Sequence, residues 1–230
     1  MTYPYDAVLF DLDGVLTSTA ALHGKCWKAV FDEVLDDWTR RTGEPQEPFD
    51  ERDYLAHVDG KPRYDGVRDF LQSRGVDGFD IDAVADHKQA LVEEALTRDG
   101  VEAFPGSVKW VLHLRRTGVR TAVVSSSANA GDVLRAAGIA GLFELTVDGH
   151  DVATLGLRGK PAPDGFLEAA RRLGVAPARA VVVEDALAGV AAGRGGDFGL
   201  VIGVARSAAY QDLRSAGADI VVDDLGELLP

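Results

Sequence analysis

Residues 7–17 read "AVLFDLDGVLT". The first four have the length and composition of a fully buried strand, and they run without a break into Asp11, Asp13 and the turn-permitting Gly14. Two carboxylates two positions apart at the end of one strand repel each other. A positive partner, or chemistry on an anion, has to account for them.

Downstream of Gly106 the chain alternates between helical segments and short apolar runs: "VRTAVVS", "LFELTVDG", "AVVVED", "FGLVIGVA" and "ADIVV". Val- and Ile-rich runs without polar alternation, separated by helices, predict a parallel sheet covered on both faces. Helices are expected at 107–117, in "NAGDVLRAAG", in "APDGFLEAARRLG" from near Pro161, in "ALAGVAAGRGG" and at 207–215. The first strand is set apart from the others. Between them Leu22, Cys26, Val30, Val34 and Trp38 recur every fourth residue, the mark of an amphipathic helix over Thr19–Trp38. Two more helical segments follow at about 65–74 and 80–98, after a polar, proline-bearing surface excursion at 39–65. The expected fold class is α/β, a Rossmann-like parallel sheet core with a small helical cap domain inserted after the first strand. Residues 1–18 and 99–230 would form the core and 19–98 the cap.

Composition narrows the function. The 230 residues are 46% hydrophobic, enough for a sizeable core, and no apolar run reaches the length of a membrane span. A formal net charge of −13 argues against nucleic acid and anionic membranes as partners. Cys26 is the one cysteine, and Met1 to Tyr5 show none of the regions of a signal peptide, so a cytoplasmic location is expected. An anionic substrate would need locally placed Lys, Arg or metal.

In an open parallel sheet, ligands bind beyond the carboxyl ends of the strands. The first strand ends in Asp11 and Asp13. "TAVVSSS" ends in Ser125, Ser126 and Ser127 with Asn129 close behind, "AVVVED" ends in Glu184 and Asp185, and Lys160 precedes a helix in "GLRGKPAPD". Hydroxyls and amides opening a helix suit phosphate, carboxylates from two strands suit Mg²⁺, and a lysine can balance charge on a transferred group. Singly, each feature is as well explained as a turn former, a helix cap or a solvated side chain. Four at one sheet edge are not.

That ordered set, "DLDGVLT", "VVSSSAN", "GKPAPD" and "VVVEDA", resembles the haloacid dehalogenase-like phosphotransferase superfamily, and within it the β-phosphoglucomutase-like subgroup, over the whole length of the chain. The resemblance implies Asp11 as the nucleophile that becomes an aspartyl phosphate and Asp13 as the general acid/base. It implies Ser125, Ser126, Asn129 and Lys160 as phosphate ligands. The Mg²⁺ site would comprise Asp11, the Asp13 main-chain carbonyl, Glu184 and Asp185. Within the cap, "HGKCW", "VDGKPRYDGV" and "DHKQAL" make His23, Arg63 and Lys88 the residues that couple closure to Asp13, meet a distal phosphate and contact sugar. Asp13 has to be protonated when the leaving group departs, and motion of the cap that excludes water is expected to raise its pKa transiently.

Ser18 before Thr19, Ala128 before Asn129 and the long excursion between His23 and Arg63 depart from the subgroup's pattern and bear on which sugar is used. The implied activity is Mg²⁺-dependent phosphoryl transfer on a small phosphorylated sugar by a monomer, converting β-glucose 1-phosphate to glucose 6-phosphate. A sugar-phosphate phosphatase on the same scaffold is the alternative. A dehalogenase would leave Asp13, Glu184 and Asp185 unexplained. A phosphonate-cleaving enzyme would need Lys61 or Lys88 for a Schiff base. A receiver-like phospho-acceptor would need neither the insert nor Asp13.

Overall fold

A computed structural model describes residues 4–206 and 208–230. The core elements are β1 (Ala7–Phe10), α5 (Pro105–Arg116), β2 (Arg120–Val124), α6 (Ala130–Ala136), β3 (Leu145–Val147), α7 (Gly149–Leu155), α8 (Asp164–Leu173), β4 (Ala180–Glu184), α9 (Leu187–Gly195), β5 (Leu200–Val204), α10 (Tyr210–Ala216) and β6 (Ile220–Val222). Between β1 and α5 lie α1 (Ala20–Thr42), α2 (Glu51–Asp53), α3 (Arg63–Arg74) and α4 (Ile81–Asp99). The strands form one parallel sheet in the order β3-β2-β1-β4-β5-β6. This is the doubly wound order, with its switch point beside β1, where crossovers leave in opposite directions and open a crevice.

Alternation along β1 explains why both faces are covered. Val8 and Phe10 point to the side of α5 and α6, against Trp110, Val111, Leu114 and Val133. Ala7 and Leu9 point to the side of α8, against Phe166, Ala169 and Leu173. Each of these side chains is buried.

The insert has an apolar core of its own. Phe31 is fully buried, its ring 4.1 Å from that of Phe70 and 5.0 Å from those of Trp27 and Phe49. The two chain segments that join insert and core run side by side. Ser18 N–H donates to Glu102 O at 3.0 Å, and Phe104 N–H donates to Leu16 O at 2.9 Å.

The observed elements differ from the expected ones in five places. Helix α1 continues four residues past Trp38, to Thr42, and ends at Gly43 in the left-handed region at φ 77°. The stretch expected as a surface excursion holds α2, a π-helical turn over Tyr54–Val58 and the buried Phe49 and Val58. Asp50 caps α2 by accepting from the Arg52 and Asp53 N–H groups, which is how a polar segment becomes ordered. Helix α7 was not expected. It is capped in the same manner by Asp148 and shortens the neighbouring strand to Leu145–Val147. Helix α8 begins at Asp164, so Lys160 sits in the loop before it. The helix expected at 207–215 begins at Tyr210; Ser207 and Met1 to Tyr3 lie outside the described residues. Among the described residues, no helix is long and apolar enough to cross a membrane.

Phe31→Ala removes the centre of the insert's aromatic cluster and should cost about 3–5 kcal/mol there. Hydrogen exchange should show lost protection in α1, α3 and α4 with the amides of β1 and β4 unchanged.

Candidate active site

Strand register assembles the site. Phe10 is level with Val183 of β4 and Val123 of β2, so the next residues, Asp11 and Glu184, leave the sheet side by side. Asp11 N–H still donates to Val183 O at 2.9 Å, fixing its backbone. Residues 12–17 then fold back tightly, Gly14 N–H donating to Thr17 O at 2.8 Å. Gly14 adopts φ 88°, and a Cβ there would lie 1.9 Å from Asp185 Oδ2. Both its conformation and the space taken by that carboxylate require glycine.

Lys160 supplies the positive partner of the opening motif. Its Nζ lies 2.5 Å from both Asp11 Oδ1 and Glu184 Oε1 and donates to Val124 O at 3.2 Å. Burial opposes the ammonium charge, but Asp11 and Glu184 outweigh it and hold the Lys160 pKa above its usual range. Burial pushes both Asp11 and Asp185 well above the carboxylate range, aided at Asp11 by the Glu184 charge and at Asp185 by the Asp11 charge. One oxygen each of Asp11, Glu184 and Asp185 falls within 4.8 Å of the others. Three buried carboxylates share one ammonium and present only hard oxygen donors, so the residues fit a divalent cation. Gly189 keeps room for this set, since a Cβ there would meet Glu184 Oε1 at 1.8 Å.

Asp13 belongs to a different group of partners. His23 Nε2 lies 3.4 Å from its Oδ1, and Thr19 Oγ1 donates to the same oxygen. Lys88 Nζ lies 2.6 Å from His23 Nδ1 and 4.9 Å from the centroid of the Trp27 ring. An ammonium can only donate, so with Lys88 charged Nδ1 is the acceptor and the ring proton sits on Nε2, facing Asp13. Burial alone would raise the Asp13 carboxyl, but His23, Thr19 and Lys88 hold it down at about 2. The insert brings cationic and donor groups as well as dryness, and Asp13 is in its base form. Burial pushes Lys88 down to about 8.

Arg63 and Asn129 are linked through Gln89. Arg63 Nη1 donates to Gln89 Oε1 at 2.9 Å, and Gln89 Nε2 donates to Asn129 Oδ1 at 2.6 Å. The serines make the turn after β2. Ser125 Oγ accepts from Ser127 N–H at 3.0 Å, and Ser126 Oγ donates to Gly60 O at 2.9 Å, joining core to insert. Lys61 is held by Asp69 at 2.8 Å. A cavity of about 950 Å³ lies between core and insert, and Asp11, Asp13, His23, Arg63, Lys88 and Lys160 are among its lining residues.

Sequence reasoning missed Thr19, Tyr54, Asp59 and Gln89. Tyr54 and Asp59 also line the cavity. Burial and then the Glu184 charge push the Asp59 carboxyl up to about 6. The Asp-Gly pair at 59–60 was a turn signal in plain view, and Gln89 adjoins Lys88; neither carried a chemical signal of its own.

A buried carboxylate, a lysine bridging it to a second strand end and an acidic cluster that fits a cation, all under a helical insert, define a site of the haloacid dehalogenase type. The model of the haloacid dehalogenase-like hydrolase family matches residues 5–197, and the chain belongs to that family. Within it, the chain falls in the β-phosphoglucomutase-like subgroup. It is 48% identical over 238 residues to a protein of Mycobacterium tuberculosis named β-phosphoglucomutase, covering 97% of this chain and 91% of the relative. It is 35% identical over 188 residues to hexitol phosphatase A of Escherichia coli, covering 80% and 76%. Among solved structures, CbbY of Rhodobacter sphaeroides in complex with phosphate superposes with a TM-score of 0.76 at 26% identity, covering 97% and 96%. The chain is an enzyme with phosphotransfer or hydrolase chemistry on a phosphorylated substrate.

Two measurements probe the site. Asp185→Asn should weaken Mg²⁺ binding at least about tenfold, read by calorimetric titration. Lys88 is protonated below pH 8 and loses its proton as pH rises through that value. The wild-type kcat/KM should therefore fall above pH 8, and Lys88→Met should show a lower rate without that limb.

Proposed function

We propose that the chain transfers phosphoryl groups on a sugar phosphate through an aspartyl phosphate on Asp11, converting β-glucose 1-phosphate to glucose 6-phosphate. The observation that carries this reading is the division of the two acids within one cavity. Asp11 lies among Lys160, Glu184 and Asp185, while Asp13 faces His23, Thr19 and Lys88. The M. tuberculosis relative's name supports the specific reaction.

In the first half-reaction an Asp11 carboxylate oxygen attacks phosphorus, the bond from phosphorus to the sugar oxygen breaks, and that oxygen takes from Asp13 the proton that Asp13 gained from the acceptor hydroxyl in the preceding turn of the cycle. In the second, a sugar hydroxyl gives its proton to Asp13 while its oxygen attacks the phosphorus of the aspartyl phosphate. Asp11 then leaves as a carboxylate. An Asp13 held at about 2 is ready for the second half, in which it acts as the base. Lys160 binds the phosphoryl oxygens, with Ser125, Ser126 and Asn129 beside it. Mg²⁺, which Asp11, Glu184, Asp185 and the Asp13 carbonyl would hold, supplies positive charge against the repulsion between two anions. Arg63 offers a planar guanidinium for a distal phosphate.

If water replaces the second sugar, the same residues make a phosphatase. The likeness to hexitol phosphatase A keeps that reading second. With β-glucose 1-phosphate, Mg²⁺ and a sugar bisphosphate primer, glucose 6-phosphate should accumulate. Free phosphate without glucose 6-phosphate would sink the mutase reading. Asp11→Asn should reduce turnover on the order of a thousandfold or more with an unchanged circular dichroism spectrum.

A further inference from the structure

Arg206 lies two residues past the end of β5, yet its guanidinium reaches the turn that carries Asp13. Nε donates to Gly14 O at 3.2 Å, Nη2 lies 3.3 Å from Asp224 Oδ2, and the guanidinium carbon stands 4.0 Å from the centroid of the Phe104 ring. These partners belong to three segments. Gly14 is in the turn after β1, and Phe104 is on the segment that returns from the insert, directly before α5. Asp224 caps the 3-10 turn Leu225–Leu228 and lies against the start of α5, where a Cβ on Gly106 would meet its Oδ1 at 1.6 Å.

The turn after β1 relies on outside support. Leu12 O accepts from the Leu16 and Thr17 N–H groups and Thr17 O from the Gly14 N–H, all within the turn. From outside, Ser107 Oγ donates to Val15 O at 2.6 Å, Phe104 N–H to Leu16 O at 2.9 Å, and Arg206 to Gly14 O. Of these three donors Arg206 holds the peptide nearest Asp13. Its stacking partner Phe104 adjoins Ala103, which bridges to Thr17 at the root of the insert. A planar fork with an exposed face serves all three directions at once, which an ammonium does not. We infer that Arg206 is a positioning residue that pins the Asp13–Gly14 turn against Phe104 and so fixes where the Asp13 carboxylate stands for proton transfer. This rests on the acid/base role proposed for Asp13 above. Proton transfer requires hydrogen-bond reach, and a displacement of about 1 Å costs on the order of a hundredfold.

Leaving groups separate this role from a merely structural one. When a sugar bisphosphate phosphorylates Asp11, the departing sugar oxygen takes the Asp13 proton. When acetyl phosphate does so, the bond from phosphorus to the acetate oxygen breaks and acetate departs as an anion, with no proton required. In single-turnover quenched-flow measurements, Arg206→Met should phosphorylate about 10- to 100-fold more slowly from the sugar bisphosphate and within about twofold of wild type from acetyl phosphate. Asp13→Asn should divide the two donors in the same way. Arg206→Lys keeps the stem and the charge but loses the fork and should behave like Arg206→Met, while Asp224→Asn should show a smaller loss of the same kind. These two carry the test if Arg206→Met does not fold. Equal losses on both donors, or no loss on either, with Asp13→Asn still dividing them, would overturn this inference alone. So would weaker Mg²⁺ binding by the Arg206 variants in a calorimetric titration, which would assign the effect to the cation site. Asp13→Asn slowing both donors alike would overturn the acid/base reading and this inference with it.

Discussion

Asp11 and Glu184 leave adjacent parallel strands at one level, and the repulsion among these two and Asp185 constrains the rest of the site. Fully buried like charges are costly unless paired. Lys160 relieves part of that cost by reaching two carboxylates at once from the loop before α8. One ammonium against three carboxylates leaves an excess of negative charge. The phosphate dianion that the family's chemistry acts on would add to it. The residues at this sheet edge therefore fit a divalent cation.

The insert solves a second electrostatic problem. Asp13 lies two residues from Asp11 and would share its fate if the same partners served both. Thr19, His23 and Lys88 claim it instead, and they come from the start of α1 and the middle of α4. One acid therefore stays with Lys160, Glu184 and Asp185 while its neighbour is held ionised by a separate set of partners. The seats of the insert on the core, Gly60 under Ser126 and Gln89 on Asn129, hold these partners in place. A loosened insert would cost Asp13 its partners as well as admit water.

Much of this was legible in the sequence, for a physical reason. Strand ends in a parallel sheet are where apolar runs meet functional groups, so Asp11, Ser125 and Glu184 announced themselves by position. The helical insert was legible from the four-residue recurrence through Val30 and Val34. What escaped depended on contacts between distant segments. Asp13's ionised state needs Lys88 to meet His23, 65 residues away in the chain. Asp59 and Tyr54 lay in a polar, proline-bearing stretch whose composition matches a solvated loop, and only the π-helical turn and the fit of Gly60 against Ala186 turn it inward. Helix α7 is too short for periodicity to show and is defined by its Asp148 cap.

The difference between a mutase and a phosphatase on this scaffold comes down to which hydroxyl meets an ionised Asp13. A water molecule needs only space beside the carboxylate, whereas a sugar hydroxyl has to be brought there by contacts elsewhere on the sugar. Selection for the sugar therefore cannot come from Asp13 or from the strand-end acids, which treat both nucleophiles alike. It has to come from groups on the insert that bind the sugar and leave water no advantage. Under the proposed reaction, Arg63 would supply such a contact from the insert's side of the same cavity. Binding energy gathered there positions the acceptor at Asp13, so that specificity and rate draw on the same contacts.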